Sequence, residues 1–210
     1  FCGLEADYIP GVSESFSDLK DTNRLDYIIG SVHLVKNFSN DNDLWFIDGP
    51  KSEIYDEGVK TIFEGDIKKA VTAYWHQLNN MIEKETFDVI GHLDKVKMHN
   101  KNRWFSEADQ WYQSLINETI DLIAHKNLLV EVNTRGLYKK RSESLFPGDN
   151  ILKLLKDKDI GVVLSSDAHQ PKELSSFFNE AEKELKEIGY SSTWVYTSSG
   201  WVDLPFNLPS

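Results

Sequence analysis

The sequence predicts an α/β fold, a barrel or part-barrel of the β/α type. Three observations predict it. Short apolar runs rich in β-branched residues alternate with stretches of helical periodicity. Each stretch between successive runs is long enough for a crossover helix, so the strands are expected to be parallel. The runs also close on carboxylate and imidazole side chains, as strands do at the C-terminal face of such folds, where sites are built.

Residues 1–8 (FCGLEADY) alternate enough to be the first strand, and Pro10-Gly11 breaks it. Ser13 to Lys20 reads as a short helix capped by Ser13. Asp26 to His33 (DYIIGSVH) is the second strand. Residues 34–54 read as a loop, with Trp45-Phe46 packing it down. Tyr55 to Lys84 is helical, broken around Gly65; Ala70, Val71, Tyr74, Leu78 and Met81 keep the i, i+3, i+4 rhythm of a buried face. Phe87 to His92 (FDVIGH) is the third strand, and 94–105 a basic loop, read as solvated, with the alternative that one of its lysines faces an anionic substrate.

Ser106-Glu107-Ala108-Asp109 has the form of a capping box and opens a helix running to about His125. Leu128 to Asn133 (LLVEVN) is the fourth strand. A basic loop, 134–147, precedes a short helix from Asn150 to Lys156. Residues 160–167 form the fifth strand, Ser175 to Ile188 an amphipathic helix stopped by Gly189, and Trp194 to Thr197 a last short strand.

The chain has 210 residues, 40% of them hydrophobic, enough for one sizeable core and a single domain. Its net charge of −11 is the opposite of what a nucleic-acid backbone selects. One cysteine, Cys2, excludes an intrachain disulfide and a Cys-based zinc ribbon, and fits a reducing, cytoplasmic setting. No run approaches the ~20 apolar residues of a membrane span. The chain opens on Phe1 in what reads as the interior of a strand, so an earlier start is expected for the natural protein.

The strand ends carry the chemistry. Glu5 lies on the first strand, His33 ends the second, His92 the third, Glu131 and Asn133 the fourth, Asp167 and His169 the fifth. Residues i and i+2 of an extended segment share a side, so Asp167 and His169 are delivered together. In Ile29-Gly30-Ser31-Val32-His33 and Val89-Ile90-Gly91-His92 a Gly precedes a His as the strand closes, which permits close approach.

Each residue has a plainer role open to it. Glu5 can pair with a cation, His33 and His92 can be core histidines, Glu131 can pair with Arg135, and Asp167 can cap a helix. Five such coincidences at one end of successive strands are harder to accept than one metal site. Gathered carboxylates repel and raise each other's pKa, a cost that divalent ions remove. Oxygen and nitrogen ligands together suit Zn, Mn or Fe, and Glu5 is placed to bridge two ions. Arg135, nearest the end of the fourth strand, is the first choice to grip a phosphate bidentately. Lys139, Lys140 and Arg141 are weaker candidates.

Gly3-Leu4-Glu5-Ala6-Asp7-Tyr8-Ile9-Pro10, Asp26-Tyr27-Ile28-Ile29-Gly30-Ser31-Val32-His33, Gly91-His92-Leu93-Asp94, Glu131-Val132-Asn133-Thr134 and Ser166-Asp167-Ala168-His169 resemble, in order and spacing, the motif series of the PHP-domain histidinol-phosphatases. The resemblance implies a distorted (β/α)7 TIM-like barrel, two or three divalent ions of Zn, Mn or Fe type, and hydrolysis of L-histidinol phosphate in histidine biosynthesis. It makes Glu5, His33, His92, Asp167 and His169 metal ligands. Arg135 becomes the phosphate residue, Asp167, His169 and Arg135 the catalytic group, and Glu131 and Asn133 supports behind the ligands.

The partner implied is a small phosphorylated substrate, with no nucleic acid and no membrane. The family also begins with a His-x-His motif that this sequence lacks. The resemblance therefore implies a domain over 1–210 short of its first strand or strands. The alternatives are another PHP-type phosphoesterase, of phosphotyrosine-phosphatase or exonuclease-like kind, and a non-catalytic metal-binding fragment.

Overall fold

A computed structural model describes residues 1–37 and 43–206. In chain order the elements are β1 (Gly3–Asp7), α1 (Phe16–Asn23), β2 (Tyr27–Ser31), β3 (Leu34–Lys36), β4 (Leu44–Phe46), α2 (Ser52–Ile62), α3 (Ile67–Lys84), β5 (Val89–Ile90) and α4 (Gln110–Lys126). There follow β6 (Leu129–Asn133), the one-turn α5 (Arg135–Tyr138), α6 (Asp149–Asp157), β7 (Val162–Ser165), α7 (Phe178–Ile188), β8 (Ser192–Thr197) and β9 (Gly200–Pro205).

The main sheet has five strands in the order β1-β2-β5-β6-β7, and every pair is parallel. Spatial order follows chain order, which is the winding of a β/α barrel rather than of a doubly wound sheet. Among the described residues β1 and β7 are not paired with each other, so the sheet is an open arc. All five C-terminal strand ends lie along one edge.

The expected elements form, with shifted ends. α1 starts at Phe16 rather than Ser13, because Ser15 supplies the cap: its side chain accepts the Asp18 N–H at 3.2 Å. α4 starts at Gln110 rather than Ser106. The Ser106-to-Asp109 box closes a turn instead, with the Ser106 N–H on Asp109 Oδ2 at 3.1 Å. α2 and α3 break at Gly65, whose φ of +80° a side chain rarely adopts. α7 ends at Gly189 as the sequence reads.

Two hairpins escaped the sequence. The expected loop 34–54 contains the antiparallel pair β3–β4, while residues 38–42 lie outside the described residues. The last strand is half of the antiparallel pair β8–β9. Buried Gln77 of α3 holds β3: its Oε1 accepts the Lys36 N–H at 2.9 Å and its Nε2 donates to the Leu34 carbonyl at 2.9 Å. Trp45 on β4 is fully buried, its indole N–H on the Tyr55 carbonyl at 3.0 Å. A Cβ on Gly58 of α2 would stand 2.3 Å from that indole, so only glycine lets α2 cover it.

The core lies between the sheet and α3, α4 and α6, and all five residues of the expected α3 face are buried in it. The basic stretch 94–105 is not a solvated loop throughout. Lys95 and Lys97 sit in a buried turn, which the Tyr74 hydroxyl ties through the Leu93 carbonyl and the Tyr55 hydroxyl through the Val96 carbonyl, both at 3.0 Å. His76 and His125 are exposed on α3 and α4.

Candidate metal centre

β1, β2 and β5 are neighbours, so their strand ends bring Glu5, His33 and His92 side by side. Glu5 lies within β1; His33 and His92 each lie two residues past a strand. Glu5 Oε1 is 2.9 Å from His92 Nε2 and 3.5 Å from His33 Nε2. The two Nε2 atoms are 3.0 Å apart. Among the described residues this is the one group of three or more His, Cys, Asp or Glu side chains whose ligand atoms all lie within 4.8 Å of one another.

These atoms fit a divalent ion. Ligands sharing an ion at ~2.0–2.2 Å stand roughly 3–3.5 Å apart, and two imidazoles with one carboxylate suit Zn, Mn or Fe. Without an ion, one Nε2–H must donate to the other Nε2, although both rings turn the same atom to one point. His92 is 1% exposed and its Nδ1 has no partner among the described residues. Its ring is therefore placed from Nε2 and from the backbone.

That backbone is held firmly. The Glu131 carboxylate, buried on β6, accepts the His92 N–H at 2.7 Å. His92 has a φ of +24° and Asp167 one of +46°, conformations that cost energy and recur where side chains are aimed for function. A Cβ on Gly91 would stand 2.2 Å from Ser31 Oγ. That hydroxyl donates to Glu5 Oε1 at 2.8 Å, so the glycine makes room for the group that aims the carboxylate.

Four residues at the site carried no role in the sequence reading. Asp7 Oδ1 accepts the His33 N–H at 2.9 Å and lies 3.5 Å from His33 Nδ1. Asp7 is two residues after Glu5 on one strand, the spacing that drew attention to Asp167 and His169, so a signal was present. Ser31 stood in view inside a strand. Asp48 Oδ2 lies 3.8 Å from His33 Nε2 and 3.7 Å from Lys95 Nζ. Asp48 and Lys95 come from segments with no periodic pattern.

Burial opposes charge on Glu5, but the His92 and His33 imidazoles and the Ser31 hydroxyl outweigh it and hold the carboxyl well below the usual range. Burial likewise pulls His33 down, while Asp7, Asp48 and Glu5 outweigh it and raise its pKa. The site is thus ready to hold positive charge.

Asp167 and His169 gather elsewhere on the same edge, with Arg135. Arg135 Nη1 donates to the Asp167 carbonyl at 2.5 Å and meets His169 Nδ1 at 2.8 Å, while Nε lies 3.6 Å from Asp167 Oδ2. The left-handed Asp167 shows that the pair is set by a turn, not by the extended i, i+2 geometry. Arg135 is engaged rather than free, and its Nη1 also donates to the Tyr138 hydroxyl at 3.2 Å. Glu131 bonds His92 and forms no ion pair with Arg135 among the described residues. Asn133 Oδ1 accepts the Arg135 N–H at 2.9 Å.

Residues 1–135 match the PHP domain family. The chain belongs to that family. It is 30% identical over 187 residues to a protein of Deinococcus radiodurans named "Probable histidinol-phosphatase", covering 89% of this chain and 64% of that one. A protein of the same name from Clostridium acetobutylicum is 24% identical, covering 86% and 65%. The chain thus spans less than two thirds of the length of these curated relatives.

Two solved structures share the fold of this PHP-domain chain. One is a candidate histidinol phosphatase from Listeria monocytogenes, with a TM-score of 0.72 and 20% identity, covering 85% of this chain and 66% of that one. The other is histidinol phosphate phosphatase from Lactococcus lactis, solved with zinc, L-histidinol and phosphate, with a TM-score of 0.64 and 18% identity, covering 95% and 70%. Among the described residues no helix is long and apolar enough to cross a membrane.

Proposed function

We propose that these 210 residues form one domain of a metal-dependent phosphoric monoester hydrolase acting on L-histidinol phosphate. The observation that carries the reading is the convergence of Glu5 Oε1, His33 Nε2 and His92 Nε2. The names of the relatives and the zinc, L-histidinol and phosphate of the Lactococcus lactis protein support it.

Glu5, His33 and His92, with Asp167 and His169 as a further ligand pair, would hold two or three divalent ions of Zn, Mn or Fe type. Such ions lower the pKa of water and offset the charge of a phosphate. The chain does the rest. Ser31 aims Glu5, Asp7 and Asp48 set the His33 ring, and Glu131 fixes the His92 backbone. Arg135 turns its guanidinium from Asp167 and His169 to two phosphate oxygens, a fork that matches them bidentately. Its departure frees the His169 ring. Whichever of Asp167 and His169 is not taken by an ion would accept a proton from the attacking water and return it to the alkoxide oxygen as that oxygen's bond to phosphorus breaks.

The test is phosphate release from L-histidinol phosphate by the protein with Zn or Mn supplied. Turnover that disappears in His92→Ala is expected. Turnover surviving in that variant overturns the proposal.

A further inference from the structure

Few charged side chains are buried among the described residues, and Glu173 is one of them, 4% exposed. It lies in the turn between β7 and α7, shortly after His169 and outside the set of candidate ligands. One carboxylate oxygen accepts a hydrogen bond at 2.5 Å from Nζ of Lys139, the residue that ends α5. The other accepts the His169 N–H at 3.1 Å and stands 3.9 Å from Arg135 Nη1. A carboxylate withdrawn from water needs partners of this kind, and Glu173 draws them from two elements.

The same device stands behind the other two imidazoles. The His92 N–H is accepted by Glu131, also 4% exposed, at 2.7 Å, and the His33 N–H by Asp7 at 2.9 Å. Each candidate histidine ligand thus has its backbone N–H on a carboxylate. For His33 and His92 that carboxylate comes from a neighbouring strand, β1 or β6. β7 is an outer strand of the sheet, with no strand on its far side among the described residues. Its histidine is held instead from the next turn of the chain, and Lys139 ties that turn to the end of α5.

The turn has further ties on its far side. Ser166 Oγ donates to the Leu174 carbonyl at 3.0 Å, and Thr134 Oγ1 to the Ser176 carbonyl at 2.8 Å. Left-handed residues bound it, Asp167 at a φ of +46° and Phe177 at +62°. Such conformations persist where surrounding bonds fix them.

We propose that Glu173 is a positioning residue for the second ligand pair. Its carboxylate sets the His169 backbone and anchors it through Lys139 to α5, so that Asp167, His169 and Arg135 keep one arrangement. It acts through these groups rather than on an ion or a substrate. The inference rests on the reading of Asp167 and His169 as metal ligands. Lys139 then serves the fold behind the ligands instead of gripping a phosphate.

The test counts the ions bound by the full chain, and their affinities, by equilibrium dialysis against Zn or Mn with elemental analysis. Asp167→Asn identifies the ion that depends on the second ligand pair. Glu173→Ala should weaken that ion ~10–100-fold, the usual cost of losing a group that orients a ligand, and leave the ion at Glu5, His33 and His92 in place. Glu173→Gln keeps an oxygen for the His169 N–H and gives up the charge, so its loss should be smaller. In an Asp167→Asn background, Glu173→Ala should lower the ion count no further. Ile123→Ala, in the buried face of α4, destabilises the chain away from the strand ends and should lose no ion. The inference is overturned if Glu173→Ala leaves unchanged an ion that Asp167→Asn removes, or if Ile123→Ala loses that ion as readily. If Asp167→Asn removes no ion, the ligand pair itself fails, and the role of Glu173 falls with it.

Discussion

His33 Nε2 and His92 Nε2 face each other at 3.0 Å across the ends of two neighbouring parallel strands. Each ring stands two residues beyond its strand. Glu5, on the next strand over, turns one oxygen into the gap between them. Three separate strand ends thus deliver three ligand atoms to one point, and the parallel winding of the sheet is what aligns them.

The aim of Glu5 depends on Ser31. Ser31→Ala removes the hydroxyl that bonds Oε1. Zinc affinity, measured by isothermal titration, should fall ~10–100-fold, the usual cost of losing a group that orients a ligand. The fold should persist. Equal affinity in the variant would show that Glu5 needs no such support.

Gly91 is required by the same hydroxyl. A Cβ 2.2 Å from Ser31 Oγ must push that hydroxyl off its place beside Glu5. Gly91→Ala should lower stability by about 1–3 kcal/mol in urea unfolding, the range of overpacked sites. It should also weaken zinc binding, unlike a destabilising change far from the strand ends. The double variant with Ser31→Ala should recover part of the stability, because it removes the atom in the way.

Arg135 stands between Asp167 and His169 where a metal ion would otherwise compete for the same two groups. Arg135→Gln should therefore tighten zinc binding that depends on Asp167, and weaken inhibition by inorganic phosphate. Zinc titrations of Arg135→Gln with and without Asp167→Asn separate these contributions. Looser zinc binding in Arg135→Gln would contradict the arrangement.

Glu184 on α7 faces Asp149 at the start of α6, and Lys97 lies near enough to oppose them weakly. Burial, then the bond and charge of Asp149, push the Glu184 carboxyl from an ordinary 4.5 up to about 7. The folded chain therefore binds a proton more tightly than the unfolded one. Stability should be highest below the ordinary value of 4.5 as far as this group is concerned, fall as pH rises towards about 7, and level off above it. Unfolding midpoints across that window should show the slope, and Glu184→Gln should flatten it.

The fold was legible because its strands are short apolar runs separated by helix-length crossovers. The five parallel strands, the α2–α3 break at Gly65 and the Gly189 stop all follow from local chemistry. The two hairpins did not show. β3 depends on Gln77, forty residues on, and β9 has no turn signal strong enough to separate it from a tail. His33 and His92 were visible because each closes an apolar strand, and Glu5 because it is a carboxylate inside one. The buried state of Lys95 and Lys97 was not. It is set by two tyrosines from α2 and α3 and by Asp94, Glu107 and Asp48, partners that no local window contains. The engagement of Arg135 with Asp167 and His169 spans more than thirty residues and was equally hidden.

The most direct test is the metal content of the purified 210-residue chain, read by elemental analysis beside His33→Ala and His92→Ala. The account predicts near-stoichiometric Zn, Mn or Fe in the unaltered chain and its loss in both variants, with circular dichroism showing that each variant remains folded. A chain that takes up no metal from excess Zn or Mn, or folded variants that retain it, would contradict the metal centre assigned to Glu5, His33 and His92.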